Sequence, residues 1–257
     1  MNPFDVSGKV VLVTGGTRGL GRAVSLHLAS QGAKVIAGYG MNEDAAEKFR
    51  GESRSAGHEV AAVRGNLMTP GGVQALFDHV IAAHGRLDAL VYCSATGVHK
   101  PLVGLTQRHL SAVWQVNVGA FFDLAVKFKP HMATGSRIVA ISSEGAQRAV
   151  DEYGAVGSSK AALEALCRQM AAEWAGDGIG VNLVSPGLLE TDTLAALEHA
   201  QDRVDREKQA SPLGRLVRLE EVATAVHFLC SRASDGIVGQ TLVIDGGKRI
   251  SALRGRG

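Results

Sequence analysis

Short apolar runs alternate with helical patterns along this chain, and that alternation constrains the fold more than any other feature. Lys9-Val10-Val11-Leu12-Val13 is a short apolar run that ends at Thr14-Gly15-Gly16. Such a run reads as a buried parallel strand. A helical pattern follows, with Leu20, Val24, Leu28 and Ala29 on one face, and Gly32 stops it. The same unit recurs. Strands are expected at Lys34 to Tyr39, Val60 to Val63, Ala89 to Tyr92, Arg137 to Ser142, Gly180 to Val184 and Thr241 to Asp245. Asn42 caps a helix whose first turn carries Glu43 and Asp44, where the helix dipole favours acids. Further helices are expected over about Gly71 to His84, Thr106 to His131, Tyr153 to Gly176 and Glu220 to Ser231. Strands separated by helices imply right-handed crossovers and a doubly wound α/β fold, a seven-stranded parallel sheet with helices on both faces. The length of 257 residues suits one large α/β domain, and no linker, repeat or low-complexity segment divides residues 1–257.

Composition excludes several classes of function. Net charge is +2, and apart from the tail Arg254-Gly255-Arg256 no Lys/Arg cluster exceeds two residues, so no nucleic-acid footprint is expected. No window of 18 apolar residues exists, so no membrane span is expected, and the first residues carry no signal-peptide pattern. Cys93, Cys167 and Cys230 are far apart and lack metal-ligand spacing. They read as buried free thiols of a cytoplasmic protein, with no metal site.

Thr14-Gly15-Gly16-Thr17-Arg18-Gly19-Leu20-Gly21 joins the first strand to the first helix. Gly15 permits a tight turn, Gly19 lets the backbone approach a pyrophosphate, and Gly21 lets the helix pack close to the sheet. The helix N-terminus then offers free N–H groups to phosphates. With its G-x-x-x-G-x-G spacing and the sequence that follows, nearly the whole chain resembles the short-chain dehydrogenase/reductase family, which implies a single NADP-binding domain of the Rossmann fold. An acid at the end of the second strand would bind a ribose 2′-hydroxyl and repel a 2′-phosphate. That strand ends Tyr39-Gly40-Met41-Asn42, without an acid, while Arg18 stands in the turn where a cation can reach a 2′-phosphate. Both features favour NADPH. By resemblance, Asn66 and Leu67 contact adenine. Pro186-Gly187-Leu188 and Thr191 belong to a P-G-x-x-x-T stretch that holds the nicotinamide carboxamide, through backbone near Leu188 and the Thr191 hydroxyl. The usual Asn-Asn-Ala-Gly after the fourth strand is replaced by Tyr92-Cys93-Ser94-Ala95-Thr96. Ser94 and Ala95 are expected at the cofactor, with Ser94 and Thr96 supplying the missing hydrogen bonds.

Tyr153 and Lys160 are seven residues apart, which is roughly 700° of helical rotation and places both on one helix face. Asn117 lies in the apolar stretch Trp114-Gln115-Val116-Asn117-Val118, where an amide signals a buried network. With Ser143, seventeen residues before Lys160, they match the family's Asn, Ser, Tyr, Lys set, with one departure. Ordinary members place Tyr four residues before Lys, and here that residue is Val156. Tyr-x6-Lys marks the enoyl-thioester reductases of the family, and Tyr153 to Leu166 looks most like the enoyl-acyl-carrier-protein reductase III branch. An enoyl reductase delivers hydride to Cβ while charge gathers on the thioester oxygen two carbons away. A donor displaced by one turn, about 5.4 Å, suits that separation. The resemblance implies that Tyr153 stabilises the enolate and Lys160 binds the nicotinamide ribose. Ser143 would assist substrate binding or merely end the strand, and Asn117 would order a network beside Lys160.

Residues 188–219 lack strong periodicity and read as a substrate lid, apolar at Leu194, Ala195, Ala196 and Leu197 and charged from Asp202 to Lys208. The expected activity is NADPH-dependent reduction of a 2-enoyl thioester, carried on coenzyme A or an acyl carrier protein, in fatty-acid or polyketide-type biosynthesis. A ketoreductase and a non-enzymatic NADP-binding sensor are the alternatives. The resemblance implies a homotetramer.

Overall fold

The computed structural model describes residues 2–191 and 200–251. Its strands are β1 (Val10–Thr14), β2 (Lys34–Tyr39), β3 (Val60–Arg64), β4 (Ala89–Tyr92), β5 (Arg137–Ile141), β6 (Gly180–Pro186) and β7 (Thr241–Ile244). They form one sheet in the order β3-β2-β1-β4-β5-β6-β7, with every pairing parallel. The helices are α1 (Gly19–Ser30), α2 (Glu43–Ser55), α3 (Pro70–His84), α4 (Gln107–Trp114), α5 (Ala120–Phe128), α6 (Gly154–Trp174), α7 (Ala200–Ala210) and α8 (Leu219–Cys230).

Strand alternation sorts the core into two layers. Val10, Leu12 and Leu90 face α3, α5 and α6, where they meet Leu76, Phe121, Phe128 and Leu163. Val11, Val13 and Val91 face α1 and α8, where they meet Val24, Leu28, Val222 and Val226. The sheet is therefore doubly wound, as expected. Chain order reverses between β1 and β4, and the crevice beyond their carboxyl ends is where open α/β sheets bind ligands.

The expected helix from Thr106 to His131 differs in detail. Between α4 and α5 lies a turn of π-helix, Gln115–Gly119, and the segment ends in a 3₁₀ turn, Lys129–His131. The reason is visible in two buried polar groups. The Tyr92 hydroxyl donates to the carbonyl oxygen of Val116, and the Asn117 side chain is drawn across to the chain after β4. A single wide turn accommodates both, as π-bulges often do beside functional sites. The charged end of the expected lid forms α7, and Val204 within it packs on Leu188 and Leu216. The apolar positions Leu194, Ala195, Ala196 and Leu197 and the tail Arg254-Gly255-Arg256 lie outside the described residues. Among the described residues, no helix is long and apolar enough to cross a membrane, and no cluster of His, Cys, Asp and Glu could hold a metal ion.

Candidate active site

A cleft of about 550 Å³ opens at the β1/β4 crossover. Its walls include Gly15, Thr17, Arg18, Gly19, Leu20 and Gly21 from the first turn, Tyr39 from β2, Asn66 and Leu67 after β3, Ser94 and Ala95 after β4, and Thr191. The expected cofactor residues are thus gathered on one cavity, apart from Lys160, Pro186, Gly187 and Leu188, which are not among its lining residues. Pro186 ends β6 at the same edge of the sheet, with Gly187 and Leu188 following it.

Glycine is required at two points of the turn. Gly15 has φ +64°, and a Cβ there would lie 3.2 Å from Ser94 Oγ. At Gly21 a Cβ would lie 2.1 Å from the carbonyl oxygen of Gly15, so helix and turn approach more closely than any side chain allows. The turn and the open N-terminus of α1, which has no acid in its first turn, form a cradle suited to a pyrophosphate. These residues fit a dinucleotide.

The end of the cleft beside β2 has its own polar arrangement. The Tyr39 hydroxyl donates to Glu43 Oε2 at 2.7 Å and accepts from Arg50 at 3.2 Å, and the Arg50 guanidinium lies 5.6 Å from the Tyr39 ring centroid. Glu43 is held below the usual carboxylate range, first by the Tyr39 hydrogen bond and then by Arg50. The first acid after β2 is therefore engaged with its own helix and strand, while Arg18 stands exposed at the mouth of the cleft.

The wall after β4 is held from the helix side. Asn117 accepts from the Thr96 N–H at 2.9 Å and donates to the Thr96 carbonyl at 3.1 Å and to Ser159 Oγ at 2.9 Å. The amide thus serves the backbone of Thr96 and the neighbour of Lys160, and the π turn aims it there. Ser94 contributes through its N–H, which donates to Thr14 Oγ1 at 3.1 Å. Cys93 borders the cleft, and burial pushes its thiol up to about 12, so it is protonated and inert at neutral pH.

Lys160 is buried on α6 and donates from Nζ to the Ile141 carbonyl at 2.6 Å. Desolvation lowers its pKa to about 8, with the nearby Cys93 and Cys167 sulfurs acting weakly in the other direction. Tyr153 is the N-cap residue of α6, one position outside the helix expected to contain it. Its ring lies against Gly145, where a Cβ would come within 2.5 Å of it, and 5.5 Å from the His99 ring. Burial raises the phenol's pKa, a hydrogen bond with Ser143 opposes this, and the Glu144 charge adds to the rise. Tyr153 and Lys160 therefore bracket the segment from Ile141 to Gly145, one touching each end. Ser142 serves a different purpose, donating to Glu164 at 2.6 Å. Val156, four residues before Lys160, is buried in an apolar cluster with Val113 and Ala155. The remaining tyrosines are committed to Glu43 at the β2 end of the cleft (Tyr39) and to the core (Tyr92), so Tyr153 is the phenol available here.

Sequence reasoning missed His99 against Tyr153, and it missed the C-terminal turn. Lys248 donates to Glu144 at 2.8 Å and to Glu207 at 2.6 Å, and Arg249 donates to Ser185 Oγ at 2.6 Å. These contacts join residues distant in sequence and leave no local pattern.

The profile of the family described as Enoyl-(Acyl carrier protein) reductase matches residues 15–249. The 1-cyclohexenylcarbonyl-CoA reductase of Streptomyces collinus is 38% identical over 250 residues, covering 95% of this chain and 88% of the relative. A hydroxynaphthalene reductase-like protein of Metarhizium robertsii is 30% identical over 257 residues, covering 95% and 96%. Among solved structures, a gluconate 5-dehydrogenase from Burkholderia cenocepacia in complex with NADP and tartrate superposes with a TM-score of 0.88 at 28% identity, covering 98% and 99%. Fold, turn and likeness along almost the full length agree: the chain belongs to the short-chain dehydrogenase/reductase family and is an oxidoreductase of that kind.

Proposed function

We propose that this protein is an NADPH-dependent reductase of the C=C bond of 2-enoyl thioesters. The observation that carries the reading is the pairing of Tyr153 with Lys160 around Ile141–Gly145, with buried Val156 at the position where a ketoreductase of the family keeps its phenol. The likeness to a relative named for reduction of a cyclohexenylcarbonyl-CoA supports a thioester substrate and favours coenzyme A as its carrier.

NADPH, when bound, supplies a hydride to the β-carbon. Gly15, Thr17, Gly19, Leu20 and Gly21 cradle the pyrophosphate, and Arg18 takes the 2′-phosphate. Tyr39, Asn66 and Leu67 border the adenosine, Ser94 and Ala95 form the wall beside it, and Pro186, Gly187, Leu188 and Thr191 hold the carboxamide. Tyr153 donates a hydrogen bond to the thioester carbonyl oxygen and stabilises the enolate whose charge gathers there. Lys160 binds the nicotinamide-ribose hydroxyls and keeps a positive charge near that oxygen. Ser143, whose hydroxyl accepts from the Gly145 N–H, steadies the loop against which the phenol lies and favours its ionised form. Asn117 fixes Thr96 and Ser159 on either side of the site.

The chain works as a single NADP-binding domain in a cytoplasmic setting, consistent with its three free thiols. It assembles as a homotetramer, for which exposed Phe122 and Val126 on α5 and Leu242 and Val243 on edge strand β7 provide apolar surface. A second reading, reduction of a carbonyl, is favoured by the hydroxynaphthalene reductase-like relative. Following NADPH loss with crotonyl-CoA and with acetoacetyl-CoA separates the two. Turnover of the first and not the second is expected, and the reverse order would carry the second reading. Tyr153→Phe should lower kcat by roughly 100-fold or more while leaving NADPH affinity within about twofold.

A further inference from the structure

Beyond β7 the chain turns through Gly246 and Gly247, with φ +67° and +86°, and delivers Lys248 to the catalytic edge of the sheet. The turn is fixed from both sides. Asp245 accepts from the N–H groups of Gly247 at 2.9 Å and Arg249 at 3.1 Å, and Arg249 also bonds Ser185 at the end of β6. Ser211, just past α7, donates to the Gly246 carbonyl at 3.2 Å.

From this fixed turn the Lys248 ammonium reaches two carboxylates on different elements. Glu144 follows Ser143 in the loop after β5, and Glu207 comes from α7. The three side chains are 18%, 21% and 12% exposed, so the bridge is largely withdrawn from solvent and weakly screened by salt. Glu207 uses its other oxygen to accept from the Leu188 N–H at 3.4 Å, and the same oxygen would lie 3.3 Å from a Cβ at Gly187. One cation therefore connects the loop that holds Tyr153, the helix beside the substrate opening, and the Pro186–Leu188 segment. A solvated surface lysine would do none of this.

We infer that Lys248 is a positioning residue that locks α7 and the Leu188 backbone to the Ser143–Gly145 loop, so that closure over the acyl thioester and placement of Tyr153 occur together. The assignment of α7 to the substrate rests on the function proposed above; the mechanical link between Glu144 and α7 does not. Without the ammonium, Glu144 and Glu207 face each other uncompensated, and the helix is released from the loop.

The test uses the full chain and two readouts. Amide hydrogen exchange over residues 200–210, measured without substrate, should speed up about fivefold in Glu144→Gln, a near-isosteric change on a different element, and as much in Lys248→Met. Lys248→Arg should retain slow exchange. Exchange in Glu144→Gln within twofold of the unaltered protein would overturn the link. In turnover of crotonyl-CoA, Lys248→Met should raise KM and lower kcat, each about tenfold, and Lys248→Arg should restore both to within threefold. Values of both KM and kcat within threefold of the unaltered protein in Lys248→Met would overturn the positioning role. Should the unaltered protein turn over no thioester, the proposed function fails, and the exchange measurement still decides the role of Lys248.

Discussion

At the residue scale the ammonium of Lys160 is the most heavily constrained group in the site. Its folded pKa of about 8 lies below the ordinary 10.5 because burial disfavours the charge. Between about pH 8 and 10.5 the unfolded chain holds a proton that the folded one has shed, so stability rises with pH across that window, and below it the full penalty of the buried charge is present. Lys160→Met should therefore raise the thermal midpoint of the cofactor-free protein at pH 7 by several degrees, with the gain fading as pH is raised through this window in paired melts. Activity moves in the opposite sense. In the proposed mechanism the charged form supports the oxyanion, so kcat/KM should fall above about pH 8, and a flat profile from pH 7 to 9.5 would remove Lys160 from that role. Gly145 carries a steric prediction. A methyl group there meets the Tyr153 ring at 2.5 Å, so Gly145→Ala should lower kcat by about tenfold or more with little loss of NADPH binding, read by single-turnover kinetics and fluorescence titration.

At the scale of elements, the break between α4 and α5 organises the site. Three hydrogen bonds from one buried amide hold Thr96 and Ser159, and removing them leaves the Thr96 N–H and C=O without these partners. Asn117→Ala should cost about 2–4 kcal/mol of unfolding free energy by denaturant titration and lower cofactor affinity as the β4 wall loosens. Asn117→Asp should rescue the acceptor contact to the Thr96 N–H only. This element also marks the border of what sequence patterns reveal. β2 and β4 begin and end where hydrophobicity and turn residues place them, because strand boundaries follow burial and glycine. The π turn could not be read, because its one extra residue leaves the apolar pattern of Val113, Val116 and Ala120 intact. Tyr153 could be paired with Lys160 by spacing alone, but its place just outside α6 depends on contact with Gly145 and His99. Lys248 and Glu207, 41 residues apart, look like ordinary surface charges until the sheet brings their elements together.

At the scale of the whole molecule, the order of the strands sets where chemistry happens. With every strand parallel and one reversal at β1 and β4, the loops after β1, β2, β3, β4 and β6 meet at a common cleft, and that is why residues from Gly15 to Thr191 share one wall. A ligand bound only by the folded chain stabilises it in proportion to the logarithm of its concentration over Kd. NADP⁺ should therefore raise the midpoint of thermal unfolding by more than NAD⁺ at equal concentration, and Arg18→Glu should abolish the difference. Equal shifts in the unaltered protein would argue against Arg18 as the phosphate partner.

The Asn117 clamp grips Thr96 by its main chain alone, and a grip of that kind does not depend on which side chains the gripped segment bears. Thr96 can thus exchange its own side chain while the chain after β4 keeps its course. At that position the scaffold and the lining of the cleft are separable, so a new surface can arise there by substitution without rebuilding the fold.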